Sequence, residues 1–279
     1  MRTAGRAWAG VRWRAVLASA LVVGAIGNAA CEPAPPAAGD IGIFERTGRC
    51  TVQMSPRGAF TLFLPTGGAG CTGPFPVVSW GNGTFNTPQS YTAFLTNVAS
   101  HGFSVVAANT SNSNTGAGQP VKDGVNLGFT LQNVGAQACT MGYSQGGSAA
   151  VNGARGDARV VCAVGIAPER IITGAGVTGA GLTRAIFLGG SADGIAPVAN
   201  NAQVFFNTAG MPKALAVLNG VGHLEPLGNA GRYRGFAIAA LVLNLRPSDP
   251  DFAAASRLYN GNGIANDARV TTFTRQGTF

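Results

Sequence analysis

From Phe75 onward, short apolar runs alternate with segments of helical pattern, and this alternation constrains the fold more than any other feature. Strands that alternate with helices form a parallel sheet covered on both faces, so we predict an α/β domain. The predicted strands are Pro76–Trp80, Ser104–Ala108, Ala138–Met141, Val160–Ile166, Ala185–Leu188 and Ala214–Leu218. The predicted helices are Tyr91–Ser100, Val121–Val134, Gln145–Ala154, Val198–Thr208 and Arg232–Leu245.

The pentapeptide Gly142–Gly146 (GYSQG) lies between a predicted strand and a predicted helix. In that setting G-x-S-x-G places its serine on a tight turn with the hydroxyl above the sheet. Because 42 of the 279 residues are Gly, the motif also arises by chance, and its position after a strand is what gives it weight. We predict that Ser144 is a nucleophile and that the backbone N–H of Gln145 helps to hold the oxyanion.

A serine nucleophile needs a base, and the chain contains two histidines, His101 and His223. Hydrolases built on such a sheet carry their residues in the order Ser, acid, His. His223 follows Ser144 in a Gly-rich loop after a predicted strand, whereas His101 precedes it at a predicted helix end. We therefore predict His223 as the base and Asp193, which follows another predicted strand, as the acid that orients it.

Two other carboxyl groups fit the role of the acid less well. Asp157 precedes a predicted strand and so belongs to the opposite edge of the sheet. Glu225 is only two residues from His223, too close in sequence to reach the far ring nitrogen.

The loop Trp80–Asn86 (WGNGTFN) follows a predicted strand and is rich in glycine. Glycine allows a backbone to approach a ligand closely, so this loop is a candidate for the second oxyanion donor. The alternative interpretation is a tight turn without a catalytic role.

The N-terminus resembles a secretory signal. A basic region with four arginines precedes the apolar run Ala15–Ile26, whose 12 residues are too few to span a bilayer. We predict a signal peptide at residues 1–31, a Pro/Ala-rich tether at 32–40 and a catalytic domain at 41–279, in an exported protein. Cys31 is either lipidated, which would anchor the protein to a membrane, or close to an ordinary cleavage site.

The charge balance gives little support for nucleic-acid binding. The chain has 19 basic and 11 acidic residues, and four of the basic ones lie in the predicted signal, which leaves 15 against 11, or +4. No cluster of Lys and Arg interleaved with aromatic residues follows. We therefore expect no nucleic-acid partner.

Four cysteines remain beyond the predicted signal, an even number that suggests disulfides in an oxidising compartment. Cys50 and Cys71 flank a predicted hairpin and form the first expected pair. Cys139 and Cys162 lie in strands that we expect to be neighbours, so they either form a second bridge or stay as buried thiols. No C-x-x-C motif or His cluster indicates a metal site.

Five motifs together resemble the α/β-hydrolase superfamily, and within it the secreted bacterial cutinases and polyester (PET) hydrolases. They are WGNGT at Trp80–Thr84, ASHGF at Ala99–Phe103, GYSQGG at Gly142–Gly147, ADGIAPV at Ala192–Val198 and NGVGH at Asn219–His223. The resemblance covers about Phe75 to Leu245. It implies an α/β-hydrolase fold and cofactor-free ester hydrolysis. It also implies a catalytic triad of Ser144, Asp193 and His223, with oxyanion donors at the backbone of Thr84 and Gln145.

The chain departs from the polyester hydrolases where they contact substrate. They carry an aromatic residue where this chain has Thr84, although Phe85 adjoins it, and often Met where it has Gln145. Their Trp after an Ala-Pro pair is missing, and the corresponding stretch here runs from Ala167 to Ile172. Their C-terminal cysteine pair is also absent. Phe85 and Ile172 remain as candidates for substrate contact.

Only eighteen residues separate the predicted strand ending at Ile166 from the one starting at Ala185, too few for a cap domain. We therefore expect an open site. The expected substrate is an ester, including esters at a lipid or polymer surface, and we expect the protein to be a monomer. The alternatives are a carboxylesterase for small soluble esters, an acyltransferase, or a non-catalytic surface binding protein on the same fold.

Overall fold

Residues 40–170, 184–210 and 212–279, which this computed structural model describes, build one mixed sheet with helices on both faces. The strands are β1 (Thr51–Arg57), β2 (Phe60–Gly67), β3 (Phe75–Gly81), β4 (Ser104–Ala108), β5 (Val134–Tyr143), β6 (Val160–Ile166), β7 (Arg184–Gly190), β8 (Lys213–Leu218) and β9 (Val270–Gln276). The helices are α1 (Ile41–Glu45), α2 (Thr92–Ser100), α3 (Thr115–Gly128), α4 (Gln145–Gly153), α5 (Ala202–Thr208), α6 (Tyr233–Leu245) and α7 (Phe252–Tyr259). Short 3₁₀ turns lie at Pro88–Tyr91 and Val198–Asn200.

The strand order is β1-β2-β4-β3-β5-β6-β7-β8-β9. The strands from β4 to β8 in this order are parallel to their neighbours, while β1, β2 and β9 extend the two edges in antiparallel pairing. From β3 the chain crosses to β4 on one side and then returns to β5 on the other. In open parallel sheets such a reversal opens a crevice at the carboxyl ends of the two strands.

Two apolar cores cover the two faces of the sheet. Successive residues of β3 belong to different cores: Val77 lies in the cluster that includes Phe205 of α5, and Val78 lies in the cluster that includes Phe94 of α2 and Phe236 of α6. Every residue of β3, β6 and β8 is buried. Burial on both faces explains why the sequences of these strands are continuous apolar runs. The predicted mostly parallel α/β architecture is confirmed.

Two predicted helices were wrong in their extent. The helix predicted at Val121–Val134 ends at Gly128, and Val134 instead begins β5, where it pairs with Phe75. The segment Val198–Thr208 is interrupted at Asn201, whose φ of −127° and ψ of −92° are not helical. In addition, α1, α7 and β9 had no counterpart among the predicted elements.

Both cysteine pairs are disulfides. Cys50–Cys71 joins the residue before β1 to the turn after β2, as predicted. Cys139 and Cys162 are directly opposite each other in β5 and β6, are fully buried and are also bonded, so the alternative of two buried thiols is wrong.

Several predictions fall outside the described residues. These are the signal peptide at 1–31 with Cys31, the tether up to residue 39, and the substrate contact at Ile172. Within the part of the chain that is described, no helix has both the length and the apolar content needed to cross a membrane.

Candidate active site

Ser144 occupies the turn between β5 and α4, at the carboxyl edge of the parallel strands. Its φ of 55° and ψ of −123° lie in a region that residues with a side chain rarely adopt, so the surrounding structure must hold the turn in place. Two glycines make the close packing possible. A Cβ on Gly142 would overlap the carbonyl oxygen of Gly146, and a Cβ on Gly146 would overlap that of Gly81. The tight turn predicted for GYSQG is therefore present.

Asp193 follows β7 and His223 follows β8, so both loops end at the same sheet edge as Ser144. His223 Nε2 lies 2.9 Å from Ser144 Oγ, and His223 Nδ1 lies 2.7 Å from Asp193 Oδ2. An ionised carboxylate only accepts hydrogen bonds, so Nδ1–H donates to Asp193 and Nε2 accepts from the Ser144 hydroxyl. The structure brings the three predicted residues together in one hydrogen-bonded chain, and each is at most 7% exposed.

Backbone groups hold the Asp193 carboxylate. Its Oδ1 accepts hydrogen bonds from the N–H of Ile195 at 3.0 Å and of Ala196 at 2.7 Å. Burial alone raises the pKa of Asp193, but the hydrogen bond from His223 and those from the backbone outweigh it, and the net pKa is below its ordinary value. The carboxylate therefore stays ionised beside the imidazole at neutral pH.

The competing candidates have partners elsewhere. Glu225 pairs with Arg232 at 2.8 Å, and Asp157 pairs with Arg159 at 2.6 Å. His101 ends α2, where its Nε2 lies 3.0 Å from a backbone carbonyl oxygen just after α1. These residues therefore have structural partners, consistent with the exclusion of all three from the predicted set.

The two predicted oxyanion donors lie next to the Ser144 turn. Gln145 is the first residue of α4, where backbone N–H groups lack a partner within the helix. The loop that carries Thr84 packs against the turn so closely that a Cβ on Gly83 would overlap the ring of Tyr143. Among the described residues, neither the Thr84 N–H nor the Gln145 N–H donates to another group.

Asn82 fixes the loop after β3, a role that its sequence context did not indicate. Its Oδ1 accepts from Trp80 Nε1 at 2.9 Å, and its Nδ2 donates to the carbonyls of Ala108 at 2.6 Å and Thr110 at 2.9 Å. Its backbone N–H donates to Ser113 Oγ at 2.7 Å. This fully buried residue ties the loop to the segment after β4. The only sequence signal was a lone asparagine between two glycines.

Three exposed apolar side chains stand on loops that carry site residues. Phe85 is 93% exposed, Ile195 61% and Leu224 64%, and we call these three the apolar rim. Phe85 also has a φ of 64°, so its backbone is held in a conformation that large side chains seldom adopt. The three side chains lie on the loops that follow β3, β7 and β8, at the carboxyl ends of these parallel strands.

Within the described ranges, no group of three or more His, Cys, Asp and Glu side chains is placed to hold a metal ion. Comparison of the chain with models of known protein families found no match, and comparison with curated proteins found no similar sequence. The functional conclusion therefore depends on the geometry around Ser144.

Proposed function

We propose that this protein is an exported serine hydrolase that cleaves carboxylic esters. The observation that carries the proposal is the hydrogen-bonded chain from Ser144 through His223 to Asp193, with distances of 2.9 and 2.7 Å. Nucleophile, base and orienting acid in this arrangement recur in acyl-transfer enzymes on unrelated folds, because the chemistry needs all three. A protein that only bound a ligand would need no such chain.

In the proposed mechanism, Ser144 Oγ attacks the ester carbonyl carbon while His223 Nε2 accepts the hydroxyl proton. The imidazolium then gives this proton to the leaving alcohol as the C–O bond breaks, and Ser144 is left acylated. Water, activated by His223, attacks the acyl group and releases the carboxylic acid. Asp193 keeps Nδ1 protonated and stabilises the positive charge of the imidazolium in both steps.

The negative charge that forms on the carbonyl oxygen needs fixed donors. The backbone N–H groups of Thr84 and Gln145 supply them, and the N-terminus of α4 adds the positive end of a helix dipole. Because Asn82 and the glycines around Ser144 hold both segments in place, the donors need no reorganisation during the reaction.

The strand order supports an α/β-hydrolase fold. The nucleophile follows β5, the acid follows β7 and the base follows β8, which is the chain order of that fold. Ser144 and the Thr84 loop lie at the carboxyl ends of β5 and β3, the neighbouring strands between which the crossover direction reverses. Open α/β sheets bind their ligands at this position.

The apolar rim supports esters with bulky apolar groups, including those at lipid or polymer surfaces. Only seventeen residues join β6 to β7, too short a connection for a cap domain that would enclose a small substrate. Export is supported by the two disulfides together with the basic and apolar N-terminal sequence. A lipid anchor at Cys31 is the proposed route to a membrane.

Ester hydrolysis is tested with p-nitrophenyl esters of increasing acyl length, comparing wild type with Ser144→Ala. The variant should lose at least about a thousandfold in kcat, because no nucleophile remains. Ser55→Ala, which alters a serine on the edge strand β1, should match wild type. A fluorophosphonate should label wild type at Ser144 and leave Ser144→Ala unlabelled. Equal turnover by the two proteins would refute the mechanism, and tight ester binding without turnover by wild type would favour a binding protein.

A further inference from the structure

A cavity of about 430 Å³ lies at the opposite end of α4 from Ser144. Its walls come from α3, from the last residue of α4 and from the segment 155–159 that leads into β6. Since α4 is nine residues long, roughly 13 Å of helix separate the cavity from the serine turn. The cavity is therefore not part of the proposed ester site.

The walls of this cavity are basic. Lys122, Arg155 and Arg159 line it together with one acidic residue, Asp157, so the lining carries a net charge of +2. Arg159 is paired with Asp157 at 2.6 Å and also donates to Asn126. Among the described residues, Lys122 and Arg155 have no acidic partner. Two positive charges are thus left uncompensated on one concave surface.

Arg155 has buried donors without acceptors. Its Nε and Nη2 are inaccessible to solvent and make no hydrogen bond to any described residue. Burial lowers the pKa of this guanidinium, because the charged form has lost part of its hydration. Burying a charged group with unpaired donors is costly, and an anion in the cavity would offset the charge of this guanidinium.

We propose that this cavity binds a phosphate dianion, either free or as the monoester group of a larger molecule. The net charge of the lining matches the charge of roughly −1.5 to −2 on such a group near neutral pH. The planar guanidinium of Arg155 suits phosphate oxygens, and Lys122 adds a compact positive charge. The cavity is larger than one phosphate, which leaves room for an attached organic group.

The test is titration of inorganic phosphate and of phenyl phosphate into the full chain at constant ionic strength, followed by calorimetry. Arg155→Gln should weaken phosphate binding at least about tenfold, because it removes a charge-assisted donor, and Lys122→Gln should weaken it severalfold. Arg57→Gln removes the same charge from the exposed edge strand β1 and should bind as wild type does. Ester hydrolysis should be the same in all four proteins, so this test is separate from that of the serine site.

Equal phosphate affinity in Lys122→Gln, Arg155→Gln and Arg57→Gln would overturn the site, and so would no binding by wild type at millimolar phosphate. Acetate binding as tight as phosphate binding would overturn the preference for a dianion. Tighter binding of phenyl phosphate than of inorganic phosphate would support the site and identify a phosphate monoester as its ligand. Equal affinity for the two compounds would support the site and identify inorganic phosphate as its ligand. If Arg155→Gln fails to fold, Lys122→Gln decides the outcome.

Discussion

The hydroxyl of Tyr143 donates a hydrogen bond of 2.8 Å to the backbone carbonyl of His223. The centroid of its ring also lies 5.1 Å from that of the imidazole, with the two planes at 43°. Burial raises the pKa of Tyr143, so the hydroxyl keeps its proton and remains a donor. Because Tyr143 directly precedes Ser144, one residue fixes the turn of the nucleophile relative to the loop of the base.

We expect Tyr143→Phe to lower kcat about fivefold with little change in KM, because the His223 carbonyl loses its buried donor, an effect of about 1 kcal/mol. Tyr259→Phe is the matched control, since Tyr259 Oη donates to the Phe236 carbonyl at the same 2.8 Å far from the site. Both variants should lose similar free energy of unfolding in urea. If kcat falls by the same factor in both variants, Tyr143 has no positioning role.

Acid should destabilise the protein partly through Asp193. The pKa of Asp193 in the native state lies below its ordinary value of 3.8, so its stabilisation is complete above the unfolded-state pKa and is lost as the pH falls through the native one. The free energy of unfolding should therefore decline as the pH falls below about 4. Asp193→Asn should show a shallower decline in urea titrations across this range. If the free energy of unfolding of the variant declines with pH as steeply as that of wild type, the lowered pKa of Asp193 is contradicted.

Asn82→Ala should loosen the loop that carries Thr84. It removes the hydrogen bonds to Trp80 Nε1–H, to the buried carbonyl of Ala108 and to the partly buried carbonyl of Thr110, so we expect a loss of about 2–4 kcal/mol of stability. The proposed oxyanion donor at Thr84 should shift as well, and kcat should fall by roughly ten- to a hundredfold.

The control for this change is Asn244→Ala, a buried asparagine in α6 whose Nδ2 donates to the Ala240 carbonyl at 2.7 Å. It should destabilise the protein without lowering kcat at a temperature where the protein is folded. An Asn82→Ala variant that is destabilised but has wild-type kcat would show that the loop takes no part in catalysis.

The apolar rim should favour long acyl chains. Replacing Phe85 or Leu224 with Ser removes apolar surface, and we expect the ratio of turnover on a long-chain ester to that on an acetyl ester to fall by about tenfold. Met54→Ser is the control, because Met54 is 55% exposed but lies on β1, away from the site loops. The ratio should not change in that variant. An unchanged ratio in both rim variants would argue against apolar substrate contact.

The two disulfides should differ in their response to a reductant. Cys139 and Cys162 are fully buried within the sheet, whereas Cys71 is partly exposed after the β1–β2 hairpin. Mild dithiothreitol followed by alkylation should therefore label Cys50 and Cys71 in the folded protein well before the buried pair, since exchange needs access to a sulfur. Mass spectrometry of the peptides measures the order, and equal labelling rates would contradict it.

Much of the sheet was predictable because apolar periodicity reports burial, and six strands buried in a parallel block give six clear apolar runs. The juxtaposition of Ser144, Asp193 and His223 was predictable because parallel strands bring their carboxyl ends to one edge. The ends of α3, and the presence of α1 and β9, depend on contacts with distant segments that local pattern does not contain.

The same limit applies to the residues that support the site. Tyr143 and His223 are 80 positions apart, and Asn82 bonds to groups 26 to 31 positions away. Nothing in the local sequence distinguishes this asparagine from one in an ordinary turn. Only the order of the strands shows that these segments meet.

The close packing of Gly81, Gly142 and Gly146 limits how this protein can change over evolution. Even a methyl group at Gly142 or Gly146 would force apart β3, β5 and α4, so the glycines that pack beneath Ser144 tolerate almost no substitution. The apolar rim, by contrast, has free space around its exposed side chains. New substrate preferences should therefore arise by replacement of Phe85, Ile195 and Leu224, while the backbone beneath them stays the same.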